Sequence, residues 1–380
     1  MRQGGMENGV CNLTHHLSPE HFDIHICCLR KGGAIGARLK RPSQLYELKK
    51  APGLSISCVQ HLREVVLRLQ PDILHTHNLG PLIYSSLALK LGKKRKIIHG
   101  EHAELTASEL VFRRKLIRKY LYRGCDAVHS VSAQLTETLR KQGFRHRNLH
   151  TIPNGVDTDK FYPAKEKSIA KQQLQIPCVN DDSFLIGSVG RFGPHKGHAV
   201  LIPAFENLAS MHPKAILVLA GDGGSEKIRT LNIISKSKYK NRIHWLGFQE
   251  DMTPVYQAMD LLVSPSFNEG MSNVILESMA CSIPVLANES CGITEIVSST
   301  GGGTAASIRE PSELTKLIFH LSRKSDELKA QGEAGRQAVV TMFSIEKMAN
   351  SYGQLYYQTA SRPPLTGQKS FLTPYNTSSI

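Results

Sequence analysis

Two carboxylates, Glu269 and Glu277, flank the stretch Gly270-Met271-Ser272-Asn273-Val274. An apolar run, Leu261-Leu262-Val263, stops at the turn Ser264-Pro265, and a second apolar run begins at Val274. That order reads as strand, turn, helix. Ser272 or Asn273 caps the helix, so its first unpaired amides lie near Ser272, Asn273 and Val274. Such amides, at the positive end of a helix, suit a phosphate. A carboxylate repels a diphosphate but accepts hydrogen bonds from sugar hydroxyls. One Glu at each end of a phosphate site therefore fits a nucleotide sugar, with ribose on one side and a hexose on the other. A solvated loop Glu and a helix-face Glu fit the spacing equally well.

A second constellation is Arg191-Phe192-Gly193-Pro194-His195-Lys196-Gly197, which follows the apolar run Phe184 to Gly190. Strand, glycine turn with Arg and Lys five apart, then helix is a phosphate-binding arrangement. It is not a Walker loop, because G-x-x-x-x-G-K-[ST] is absent. A third group is His99-Gly100-Glu101-His102, after the strand pattern Lys96 to His99. Its spacing does not match the usual zinc-binding helix, and no metal site is expected. His75 and His77 follow another strand and reach the edge of a ligand-binding region, where they meet acceptor. His15 and His16 read as structural. The helix Val111 to Arg123 is basic and amphipathic. Phe112, Leu116, Ile117 and Leu121 are expected to face inward. Arg113, Arg114, Arg118, Lys119 and Arg123 are expected to face outward, either simply solvated or drawn with Lys93 and Lys94 to an anionic bilayer.

The segment Ser264 to Val285 spells S-x-x-F-x-E-G-x-S-N-x-I-L-E-S-M-A-C-x-x-P-V. It resembles the E-x7-E signature of the retaining glycosyltransferases of family 4. The nearest likeness is to bacterial sugar transferases of exopolysaccharide and lipid-linked glycan assembly. The resemblance implies an α/β, GT-B fold: two facing Rossmann-like, doubly wound domains with a cleft between them. It implies Arg191 and Lys196 on the diphosphate, Glu269 and His102 on the transferred sugar, and Glu277 on the ribose. Turns at Gly5, Gly190 and Gly247 would border the donor, and Gly270 to Val274 would line it. No cofactor or metal is implied; the donor is a UDP- or GDP-linked sugar. The partner is a glycan or lipid-linked acceptor, with peripheral contact to an anionic membrane at its cytoplasmic face. The family has two glycines in the loop 288–296; here Cys291-Gly292 stands instead, which puts close approach to the sugar in doubt. Asp157-Thr158-Asp159 spells a metal motif of another glycosyltransferase fold and reads as chance in this position. A phosphorylase, a sugar-phosphate synthase and a truncated, inactive member are the competing readings.

The elements needed to position these residues are legible in outline. The 380 residues hold two domains of ordinary size. Strand and helix patterns alternate throughout, which means βα units and a mostly parallel sheet, with ligands at the carboxyl ends of strands. The expected division is 1–155, an acceptor-side domain; 156–343, the nucleotide-sugar domain; 344–361, a helix returning to the first; and 362–380, a disordered tail. Residues 164–182 read as a surface linker. The glycine-rich turn at Gly4-Gly5 is preceded by too few residues for a strand, so the central first strand is expected to be missing. The formal net charge of +15 points to an anionic partner. No nucleic-acid module is recognisable, and one Trp gives little for base stacking. Eight cysteines without a C-x-x-C pair read as mostly buried, reduced thiols of a cytoplasmic protein. No apolar run is long enough to span a membrane.

Overall fold

The computed structural model describes residues 5–90, 95–267 and 269–360. The tail 362–380, Lys93 and Lys94, and the residues before Gly5 lie outside the described ones. Two compact units are present, 1–155 with 345–380, and 156–344.

The first unit begins with α1 (Gly5–His16), β1 (Ile26–Cys28), α2 (Gly33–Ala37), β2 (Leu45–Glu47), α3 (Ile56–Leu69) and β3 (Ile73–His77). It continues with α4 (Leu79–Lys90), β4 (Lys96–Glu101), α5 (Phe112–Arg123), β5 (Ala127–Ser130), α6 (Ala133–Lys141) and β6 (Leu149–Thr151). All pairings are parallel, but they fall into two sheets, β1-β2 and β3-β4-β5-β6. Between the edges of β1 and β3 lies a cavity of about 1200 Å³. Consecutive residues Ile24 to Leu29 line it, as do Ile73, His75 and His77. Residues from both faces of β1 line the cavity, so the strand meets it edge-on.

The second unit contains α7 (Lys167–Gln173), β7 (Phe184–Val189), α8 (His198–Met211), β8 (Ala215–Ala220), α9 (Lys227–Lys236), β9 (Ile243–Trp245) and α10 (Thr253–Ala258). After these come β10 (Leu261–Ser264), α11 (Asn273–Ala280), β11 (Val285–Asn288), α12 (Cys291–Thr300), β12 (Gly303–Ala306), α13 (Pro311–Ser322) and α14 (Ser325–Met342). The last helix, α15 (Ile345–Ala360), belongs to the first unit, where Ile345, Met348 and Tyr352 pack with Leu13, Leu17 and Ile98. The second unit has one parallel sheet in the order β12-β11-β10-β7-β8-β9. Every residue of β8, β10 and β11 is buried, as a parallel sheet covered on both faces requires. The order runs outward in opposite directions from β7 and β10. The loops leaving those two neighbours therefore diverge and open a crevice at their carboxyl ends.

Three expectations need correction. The 164–182 segment is no surface linker: α7 occupies its middle, and Ala170 and Ile176 join a core with Leu185 and Val218. Lys171, 4% exposed, is accommodated there because Asp260 lies 3.0 Å away and the Ser183 carbonyl accepts its proton at 2.6 Å. The face of α5 is reversed for several residues. Phe112, Leu116 and Ile117 are exposed, whereas Arg118 is fully buried. The buried carboxylate of Glu101 explains the reversal: Arg118 Nε donates to it at 2.9 Å and Tyr122 Oη at 2.7 Å. The loop expected over 288–296 turns into α12 at Cys291. Cys27 and Cys178 are exposed, while Cys11, Cys28, Cys58, Cys125 and Cys281 are buried.

Candidate functional site

The crevice of the second unit brings together residues that are far apart in sequence. Strand β7 delivers Gly190 and the loop carrying Arg191 and Lys196; strand β10 delivers the loop carrying Glu269. Lys196 Nζ lies 2.5 Å from Glu269 Oε1, and both side chains are mostly buried, at 20% and 18% exposure. Arg191 is exposed. The two loops are also fastened through the backbone, since the Phe267 amide donates to the His195 carbonyl at 2.8 Å. Gly197, at φ 72°, lets them approach: a Cβ there would lie 2.2 Å from the Pro265 carbonyl oxygen. On the other side, Gly221 (φ 125°) packs against Gly190, its added Cβ falling 2.3 Å from the Gly190 carbonyl oxygen. Gly247 (φ 71°) ends the neighbouring strand, and its carbonyl accepts from the Gly221 amide at 2.8 Å.

Ser272 is the N-cap of α11, so the first amides of that helix belong to the residues read from sequence, Asn273 and Val274. Gly270, Met271 and Ser272 lead into them and are buried. Three residues separate Glu269 from Asn273, so one loop holds both a carboxylate and an anion-attracting helix end. Glu277, half-buried on the second turn, accepts a hydrogen bond from Tyr256 Oη at 2.7 Å. Burial, and then the Glu277 charge, push the Tyr256 phenol well above its ordinary range, so it remains a donor. Tyr256 is a contributor that the sequence reading missed; a lone Tyr in α10 carries no spacing signal.

The helix α12 is the other missed contributor. The Gly292 amide and the Ser290 hydroxyl both donate to the Glu269 carbonyl at 3.5 Å. A Cβ on Gly292 would sit 1.6 Å from the Gly270 carbonyl oxygen. The glycine thus serves the loop that carries Glu269. Its signal was the single Gly after β11. Asp157, in the D-x-D spelling, caps a turn: its Oδ1 accepts the Asp159 and Lys160 amides at 3.1 and 2.9 Å.

In the first unit, Gly5 opens α1. His99 and Glu101 are not poised as metal ligands. Glu101 Oε1 is shared by His99 Nε2 at 3.1 Å, Arg118 Nε and Tyr122 Oη. Burial raises the Glu101 pKa, but His99, Arg118 and Tyr122 outweigh it and bring the carboxyl down to about 2. His102 turns to a different group: its Nε2 lies 2.8 Å from His77 Nδ1. Burial, and then His129, hold its imidazole down to about 3, so His102 is neutral. No helix among the described residues is long and apolar enough to cross a membrane.

With the crevice defined, known proteins can be compared. Residues 170–338 match the family described as "Glycosyl transferases group 1", and residues 3–160 match "Glycosyltransferase Family 4". An Escherichia coli UDP-Gal:alpha-D-GlcNAc-diphosphoundecaprenol alpha-1,3-galactosyltransferase is 25% identical over 359 residues, covering 90% of each chain. A Bacillus anthracis N-acetyl-alpha-D-glucosaminyl L-malate synthase is 23% identical, covering 82% of this chain and 81% of its own. Anabaena HepE in complex with UDP superposes with a TM-score of 0.80 at 20% identity, covering 94% of this chain and 97% of its own. The two matches together take in most of the sequence, the one over 3–160 ending five residues past the division between the units, and the chain belongs to glycosyltransferase family 4, with the GT-B fold.

Proposed function

We propose that this glycosyltransferase moves a hexose-type sugar, with retention, from a UDP- or GDP-linked donor to a hydroxyl of a glycan or lipid-linked acceptor. The reaction belongs to cell-surface polysaccharide synthesis at the cytoplasmic face of a membrane. The observation that carries the reading is the meeting of Lys196 and Glu269 at the carboxyl ends of β7 and β10, in the loop that runs into the amides of α11. In the donor complex Lys196 and Arg191 hold the diphosphate. Charge builds on the leaving phosphate as the glycosidic bond breaks, so fixed cations and helix amides lower the barrier. They supply what a divalent ion would otherwise supply, and transfer needs no metal at the diphosphate. Glu269 is released from Lys196 to accept hydrogen bonds from the sugar. Glu277, aligned by Tyr256, accepts from the ribose. No protein nucleophile is assigned; attack from the face of the departing phosphate accounts for retention. His102 as a further contact to the sugar rests on the resemblance alone.

The membrane reading is supported by α5. Phe112 is 74% exposed and Tyr120 60%, beside Leu116, Ile117 and the exposed Arg113 and Arg114. An exposed apolar stripe among cations suits an anionic lipid surface. The deciding experiment is a thermal-shift panel of nucleotide sugars followed by transfer of labelled sugar to lipid-linked glycans. A donor that binds the folded chain raises its melting temperature. Stabilisation by one nucleotide sugar, with α-configured product, is expected. A panel with no stabilising member, or an inverted product, overturns the reading.

A further inference from the structure

The first unit holds a cluster of three histidines, His75, His77 and His129, to which the proposed transfer assigns no role. Strands β3, β4 and β5 are parallel and in register, and His77, Gly100 and His129 occupy one row across them. Side chains in one row leave the sheet by the same face, and a period of two adds His75 to it. The middle residue of the row has no side chain. A Cβ at Gly100 would stand 2.5 Å from His129 Nε2 and 3.2 Å from His102 Nε2. The glycine therefore leaves a hollow into which the flanking imidazoles lean. One ring nitrogen from each of His75, His77 and His129 lies within 4.8 Å of the other two. His75 Nε2 is 2.8 Å from His129 Nε2.

We propose that His75, His77 and His129 form a binding site for one late first-row divalent cation, of the zinc class, with the fourth position taken by water. Three features favour a metal over a mere stack of rings. Zinc–imidazole bonds of about 2.0–2.1 Å in a tetrahedron put ligand nitrogens about 3.3 Å apart, longer than the 2.8 Å between His75 and His129 and within the 4.8 Å that bounds the set. Tyr356 Oη lies 2.8 Å from His75 Nδ1, which fixes that ring and leaves its Nε2 toward the hollow. His129 is fully buried, and its Nε2 faces both His75 and the space beside Gly100. Access is provided by the adjacent cavity, whose lining includes His75 and His77. A set of imidazoles without a carboxylate selects zinc, cobalt, nickel or copper over magnesium and calcium. The ion would join the ends of β3 and β5 across β4, a structural role separate from sugar transfer.

The test uses the tag-free full chain, stripped with chelator and then exposed to zinc, cobalt or magnesium chloride. One zinc per chain after desalting is expected, together with the intense visible bands of tetrahedral cobalt and no magnesium uptake. A zinc-induced rise in melting temperature of about 5–10 °C at saturating metal is also expected. His77→Gln and His129→Gln should lose the stoichiometric ion. His77→Cys, which restores a ligand, should regain it, which separates ligand loss from misfolding. His150→Gln alters the next position of the same row, where the ring is held by Asn148 at 2.6 Å, and should keep the ion. Substoichiometric zinc in the unaltered protein overturns the site, as does equal uptake by His77→Gln. Equal uptake of magnesium overturns the metal class.

Discussion

Lys196 and Glu269 form a contact that, in the proposed donor complex, gives way to contacts with the diphosphate and the sugar. Removing either partner should therefore weaken transfer more than folding. Lys196→Ala and Glu269→Ala are each expected to lower kcat by roughly 10²–10³, the scale for losing one fixed charge-stabilising group. Release of nucleotide diphosphate measures it, and full activity in either variant sinks the assignment. A different residue-scale outcome belongs to Glu101. Glu101→Gln leaves the buried Arg118 with only its longer ion pair to Glu109, at 3.5 Å, a loss of at most about 3–5 kcal/mol by urea denaturation at neutral pH. The sign with pH follows from the lowered carboxyl. Its stabilising effect is complete above the ordinary value of 4.5 and is lost as pH falls toward about 2. The stability difference between the unaltered protein and Glu101→Gln should shrink over that window, and a constant difference would disprove the account. The spacing of Glu269, Glu277, Arg191 and Lys196 was legible because three stand in short loops next to strong apolar runs and Glu277 stands within the apolar run of α11. Tyr256 was not, since its role arises from packing between α10 and α11.

At the level of elements, α12 governs the donor loop from behind. Gly292→Ala is expected to displace the Glu269 loop and weaken nucleotide-sugar affinity by at least about tenfold, since backbone at 1.6 Å must move. Calorimetric titration with the donor reads this directly, and unchanged affinity would show that the loop is held otherwise. The same element shows where sequence reading stops. In the sequence, β8 shows as an unbroken apolar run, and Pro311 and Ser325 mark the starts of α13 and α14. β2 has three residues, one of them Glu47, and no periodicity to reveal it. The orientation of α5 was misread because amphipathicity cannot anticipate a buried Glu101 two strand positions past Ile98–His99. Charge pairing, not hydrophobic period, decides which side of that helix is covered.

For the whole chain, two units with separate cores predict two unfolding transitions. The residues assigned to the diphosphate all belong to the second unit. UDP or GDP alone should therefore raise one transition and leave the other in place, as followed by scanning calorimetry. A single cooperative transition that shifts as a whole would contradict this. The two-unit pattern of alternating strands and helices was plain in the sequence, and the expectation that a central strand is missing agrees with the two separate sheets described in the first unit.

That split has a practical corollary. The edges of β1 and β3 beside the cavity display peptide groups that no strand among the described residues covers, and such borders solicit extended chains from other molecules. Concentrated stocks of the enzyme are expected to clump laterally in a time-dependent manner, with thioflavin-reactive material and light scattering rising together. A charged residue placed at Ile24 should delay the onset while leaving nucleotide affinity as it was.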